Sequence, residues 1–478
     1  MSNTKAKKKK LLPLKIITYL FLIFFLCAFL CGEISCMRFP SGKSLTVHFK
    51  FASIVFIYIA TLLPFFFLSI WTVCKFGRNK TTMIVLGLFA LSYVIRILLA
   101  DFISNDYIIY LSEWVKEYQS LSIQDCFIQQ VGNYTPFYNY FLILFSRLPI
   151  SSLYLIKTFS FYFEVATAIV VMKLIAAVKK EKVSVIHLAV TLLLVIPLFN
   201  SSQWGQCDTI YTFFAVTGIY FAIQHKSAWC FVMMGFGFAI KMQMLFIYPV
   251  ILILLLCKNS NGEKYLSWKH IWVTPLAFSV INIIPIFFDG SIFKIIEVYQ
   301  NQIFVGNLSQ ALCGNCANVF MWFTLISRTS IWYPILTFLF IGIVAVILTL
   351  IIVRVCKTRI NQLETHHVIL LSAFIPMVCV FFMPKMLDRY FYIAEIFMFI
   401  YMMIASEKKL TCLVYVLFEY GILITYITYF KVINKVLIYS IYPATNILTG
   451  IAVVLISIHF LKQFKHENKL PINLDTEI

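Results

Sequence analysis

Arg96-Ile-Leu-Leu-Ala-Asp-Phe-Ile-Ser-Asn-Asp-Tyr-Ile-Ile-Tyr-Leu-Ser-Glu-Trp114 follows an apolar run of helix length and brings two carboxylates and a Trp together just past its end. Ionisable groups cost free energy in lipid, so Asp101 and Asp106 are expected at a water-facing end or where chemistry needs them. The run before them, at about 81–100, has its like along the whole chain. Of 478 residues, 61% are hydrophobic and 12% charged, half the charged share of a soluble domain, so lipid is the main solvent. The fold class is all-α: a polytopic integral membrane protein with about 12–13 transmembrane helices.

The expected spans lie at about 11–32, 51–74, 81–100, 184–199, 209–224, 229–256, 271–288, 331–353, 366–383, 391–405, 410–429 and 443–461. Between 136 and 178 only one of two segments can be a full span, the short stretch 138–148 or the longer 153–178. Lys241 and Gln243 interrupt 229–256, which is expected to be a broken or hairpin pair. Lys and Arg number 39 against 20 Asp and Glu, an excess that in a soluble protein would indicate nucleic acid. Here the cations occupy short gaps between apolar runs, as cytoplasmic anchors do, and no nucleic-acid partner is expected. The basic start Lys5 to Lys10 precedes an apolar run too long for a signal peptide. Both termini are expected in the cytoplasm, with external loops at 101–135 and 289–327. Trp114, Tyr118 and Tyr134 in the first loop suit a membrane interface.

Asp106 is the candidate catalytic base. A hydroxyl nucleophile needs a general base within hydrogen-bonding reach, and a phosphate leaving group needs no partner acid. The alternative is that Asp106, after Asn105, caps a short helix. Trp204-Gly-Gln-Cys-Asp208 stands at a helix entry, where Trp204, Gln206 and Asp208 are candidate sugar-binding groups; alternatively Asp208 is an N-cap. Arg96, Lys157, Lys241 and Arg389 are cations in apolar surroundings, each costing roughly 2.5–3.5 kcal/mol at a helix centre unless partnered. A lipid phosphate is one suitable partner. Glu164 for Lys157, and Asp388 or Glu395 for Arg389, are others. Cys313-Gly-Asn-Cys316 has the form of a redox or zinc half-site without a second half nearby in sequence. Asn301, Gln302, Asn307, Asn315 and Asn318 are read as sugar-facing groups, and His366-His367 beside Glu364 as helix-start groups. With no Asp-x-Asp and no crowd of carboxylates, no metal and no cofactor is expected.

Ser104-Asn-Asp-Tyr107 with Trp114 resembles the first external loop of GT-C glycosyltransferases, most closely bacterial relatives of the second mannosyltransferase of the GPI-anchor pathway. Asn133-Tyr-Thr-Pro-Phe-Tyr138, Ser201-Ser-Gln-Trp-Gly-Gln-Cys-Asp208, Lys241-Met-Gln243 and Pro384-Lys-Met-Leu-Asp-Arg-Tyr-Phe-Tyr392 are similar to further family elements in the same order. Leu387 and Asp388 depart from the family's His and Glu, and two helices rather than one precede the matched region. The resemblance implies an inverting transfer of a hexose, mannose by nearest likeness, from a polyprenyl-phosphate-linked donor to a glycan or lipid-linked acceptor on the outer face of the cell membrane. It implies Asp106 as base; Trp204, Gln206, Asp208, Lys241, Gln243, Arg389 and Tyr390 lie in the matched stretches and, with the buried cations Arg96 and Lys157, are the expected substrate-binding groups. The expected organisation is 1–80 as tail and two helices, 81–405 as a GT-C-like catalytic module, and 406–478 as the C-terminal helices and tail. The competing readings are a flippase or transporter of lipid-linked glycans, which should carry a repeat not seen here, and a polysaccharide polymerase.

Overall fold

The protein is described by a computed structural model covering residues 47–288, 298–300, 311–323, 326–327, 329–430 and 435–465. The expected span at 11–32, most of the loop 289–327 with Asn301, Gln302 and Asn307, and the polar tail after 465 lie outside the described residues. Almost everything described is helical, and eight helices are long and apolar enough to cross a membrane. The chain is therefore an all-α, multi-pass membrane protein. A bent pair, Val185–Thr191 with Val195–Trp204, would make a ninth span.

Helices α1 (Val47–Phe76), α2 (Lys80–Ala100) and α3 (Ser152–Lys179) form where expected. Asn79 caps α2 by accepting from the Thr82 amide at 2.9 Å. At the other end of α3, Lys180 takes a left-handed conformation and the Glu181 amide reaches back to Ala176 O. The choice between 138–148 and 153–178 falls to α3; the shorter segment is an 11-residue helix, Pro136–Ser146. Three expected spans come out shorter or broken. The run 184–199 bends by 56°, because Pro197 has no amide to bond Leu193 and its ring crowds that carbonyl. The run 229–256 is broken at Lys241 into α5 (Ser227–Ile240), a 3-10 turn (Met242–Ile247) and α6 (Tyr248–Leu256). The helix at Tyr392–Ile404 has only 13 residues, less than the roughly 20 a span requires, whereas α4 (Asp208–Ile223) has the 16 residues expected of it.

The chain divides into two compact units. The first comprises Met1–Tyr220, Cys230–Met244 and Trp272–Ser309. Its described core joins α1, α2, α3 and Val185–Thr191 around Phe65, Phe89, Tyr93, Phe161 and Leu188, all nearly inaccessible. Phe65 stacks on Phe161 at 5.5 Å. The second comprises Phe221–Trp229, Leu245–Ile271 and Gln310–Ile478. In it, α7 (Trp332–Arg359), α8 (Thr365–Phe382), α9 (Tyr392–Ile404), α10 (Lys408–Tyr429) and α11 (Lys435–Gln463) surround a two-residue parallel ladder, β1 (Cys313–Gly314) with β2 (Met386–Leu387). Glu364 and His367 form a capping box at the start of α8, and His366 Nδ1 lies 3.2 Å from Glu364, so this pair serves the helix start as expected.

Candidate active site

Two ion pairs buried within the first unit hold the site. Arg96, near the end of α2, pairs with Glu164 of α3, and each side chain is only 2% exposed. Its Nη1 lies 3.0 Å from Glu164 Oε2, 3.2 Å from Ser201 Oγ and 2.8 Å from Ser202 Oγ. Nη2 donates to Leu192 O as well as to Glu164, Nε to Ser92 Oγ, and the guanidinium lies 4.5 Å over the Phe161 ring. All three nitrogens therefore have acceptors inside the protein. The second pair is Asp208 with Lys241, joined by Asn200, whose amide donates to Asp208 Oδ2 at 3.2 Å.

Both pairs act on one segment. Phe199–Trp204 is a single π-helical turn, with Asn200, Ser201 and Ser202 facing the two pairs. The turn ends at Gly205, whose φ of +76° an L side chain adopts at a cost. The left-handed step lets Trp204 and Gln206 act together: Trp204 Nε1 and Gln206 Nε2 donate to Asp106 Oδ2 at 3.1 and 2.7 Å. Ser160 Oγ fixes Gln206 by donating to its carbonyl at 2.7 Å.

Asp106 reaches this point from the other side. Lys157 of α3 donates to Leu99 O, Ala100 O and Phe102 O at 3.2, 2.7 and 2.7 Å, using all three ammonium donors on carbonyls at and just past the end of α2. Its charge also suits the negative end of that helix. Asp101 is the C-cap of α2 and accepts from Tyr154 at 2.7 Å, a helix-end role. Ser104 then donates to Trp204 O at 3.0 Å and accepts the Tyr107 amide at 3.2 Å, starting the π-helical turn Tyr107–Leu111. Ser104, rather than Asp106, caps this turn: the Asp106 side chain makes no capping bond. Lys157 also packs beneath Gly205, so one side chain supports both halves of the Asp106 contact.

The structure brings together Asp106, Trp204 and Gln206, with Asp208 and Lys241 buried behind them. Several expectations are corrected. Arg96 and Lys157 have no N–H left for a phosphate, and Lys157 does not pair with Glu164, which belongs to Arg96. Asp208 is fully buried and Lys241 nearly so, which makes them supports of the Trp204–Gln206 turn rather than a sugar-binding group and a phosphate ligand. Gln243 is half-buried in the following 3-10 turn, its amide oxygen enclosed without a hydrogen-bonding partner. Tyr118 lies in the interior rather than at an interface, and its carbonyl accepts from Arg147 at 2.9 Å.

Arg389 and Tyr390 lie in the second unit, in the 3-10 turn Asp388–Phe391. There the Asp388 carboxylate receives the Arg389 amide at 2.8 Å and Asn315 Nδ2 at 2.9 Å. Asn315 also donates to Thr425 O, and Asn318 to Val380 O and Met383 O, so neither is a sugar-facing group. Cys313 and Cys316 are buried free thiols in a local turn, with Cys313 Sγ 3.3 Å from Cys316 O.

Sequence reasoning gave no site role to Ser104, Ser160, Asn200, Ser201 or Ser202, and it offered Glu164 to Lys157 instead of Arg96. Glu164 alone carried a signal: an acidic residue in mid-span requires a cation, and Arg96 required an anion. No protein-family model matches the chain, and no curated protein is significantly similar to it.

Proposed function

We propose that the protein is a membrane glycosyltransferase that moves a hexose from a polyprenyl-phosphate-linked donor to a hydroxyl of a glycan or lipid-linked acceptor, on the outer face of the membrane. Asp106 is the base: it takes the acceptor proton as that oxygen attacks the anomeric carbon. The bond from that carbon to the phosphate oxygen breaks, and the polyprenyl phosphate leaves with inversion. The observation that carries the reading is the half-buried Asp106 carboxylate, held on one oxygen by Trp204 Nε1 and Gln206 Nε2. Two donors on one oxygen fix the carboxylate's orientation, and a general base acts only from a fixed geometry. The burial of Asp208, Lys241, Arg96 and Glu164 behind the turn supports it, since purely structural anchoring of Asp106 would not need so much support.

The test is turnover by purified protein in lipid nanodiscs, with a panel of polyprenyl-phosphate sugars and cell-envelope acceptor. Asp106→Asn is expected to insert normally and to lose about 10²–10⁴-fold in rate, the range for removing a general base. Full activity in that variant overturns the assignment. A carrier of lipid-linked glycans is the second reading, favoured by Glu395, which is fully buried in α9 and accepts from Tyr415 of α10 at 3.4 Å. Movement of labelled lipid across the bilayer without sugar transfer would establish that reading instead.

A further inference from the structure

Beyond Asp106 the chain continues through the π-helical turn Tyr107–Leu111 into the helix Ser112–Ser120. The four-residue spacing of Asp106, Tyr110 and Trp114 keeps them on one side of this segment, and the Tyr110 and Trp114 rings lie 5.9 Å apart. Trp114 has a prepared floor. Gly132 adopts φ +71°, and a Cβ there would lie 2.5 Å from the indole fusion atoms, so its backbone covers one face of the ring. Gln130 Nε2 secures this loop by donating to Gly132 O at 3.2 Å and Tyr134 O at 2.7 Å. Tyr134 meets Trp114 edge-on, with centroids 5.6 Å apart, and rests on the buried Tyr138 at 4.6 Å. The Tyr134 hydroxyl lies 3.4 Å from Cys207 Sγ, so the aromatic row is attached to the turn that supplies Gln206. Exposure rises along the row, from 2% at Tyr138 to 49% at Tyr110.

We infer that Tyr110, Trp114 and Tyr134 form a stacking platform for a pyranose ring of the substrate, beside the carboxylate that activates the hydroxyl; the inference rests on the transferase reading. A pyranose presents a face of C–H bonds with positive edges, which suits the negative face of an aromatic ring, while its hydroxyls stay in water. Anchoring at the lipid interface is the competing use of exposed aromatics. It does not require Trp114 to be seated on a left-handed glycine or Tyr134 to be joined to the Gln206 turn.

The test uses full-length Asp106→Asn in nanodiscs, which leaves ligand unreacted, and saturation-transfer NMR with a panel of methyl hexopyranosides and glycerol as control. Ring protons of at least one pyranoside are expected to receive saturation. Adding Tyr110→Ala should weaken binding about tenfold, whereas Trp114→Phe, which keeps an aromatic face, should retain most of it. In otherwise wild-type protein, Tyr110→Ala should raise KM and leave kcat nearly unchanged. Unaltered affinity and KM in Tyr110→Ala overturn the platform, and with turnover intact the transferase reading survives. Platform-dependent binding without turnover by the wild type has the opposite effect: the platform stands and the transferase reading falls.

Discussion

Removing one member of the Arg96–Glu164 pair tests whether Arg96 is a support or a ligand for phosphate. Both side chains are 2% exposed, so Glu164→Gln leaves a guanidinium buried without its counter-charge, and Arg96→Met leaves the carboxylate so. Each single change should cost about 3–5 kcal/mol of stability. The double variant Arg96→Met with Glu164→Gln removes both charges and should recover much of this loss. Recovery will be incomplete, because Leu192 O, Ser92 and Ser202 each lose a hydrogen bond to Arg96, at about 1 kcal/mol apiece. The assay is reversible unfolding of purified protein in mixed micelles, read as a double-mutant cycle. A coupling energy near zero refutes the argument. So does an Arg96→Met protein of normal stability that no longer binds polyprenyl phosphate, since that result makes Arg96 a ligand.

Gly205→Ala should cost about 1–2 kcal/mol of stability through the left-handed backbone, and under the proposed transferase reading it should lower turnover by roughly 10²-fold by displacing the Trp204 and Gln206 donors. Steady-state rates compared with melting temperature separate the two effects; equal and small changes in both would count against the proposed geometry. Burial pushes the Cys313 thiol up to about 11 and raises Cys316 further. Both are therefore expected to resist alkylation at pH 8 in the native protein and to react once it is denatured, as mass spectrometry will show. Because the folded values lie above the usual 8.5 or so, their contribution to stability is intact below that pH and declines as pH rises toward and beyond about 11.

Composition and apolar run length were enough to name the solvent of this protein and to place most of its helices. The spans expected at 51–74, 81–100, 331–353, 366–383 and 410–429 correspond to Val47–Phe76, Lys80–Ala100, Trp332–Arg359, Thr365–Phe382 and Lys408–Tyr429. A helix in lipid satisfies its own backbone, so an apolar run of sufficient length is nearly a complete instruction. The break at Lys241 was legible for the same reason, because a cation in an apolar run has to leave it or find a partner. Which partner each charge found depended on how the helices pack. Arg96 met Glu164 rather than a phosphate, Lys157 met the end of α2 rather than Glu164, and Asp208 met Lys241 behind the turn. Asp106 met Trp204 and Gln206 across about a hundred residues of chain. Charge requires a partner but carries no address. The address was set by helix packing, which brings distant residues within hydrogen-bonding range and leaves no trace in local sequence.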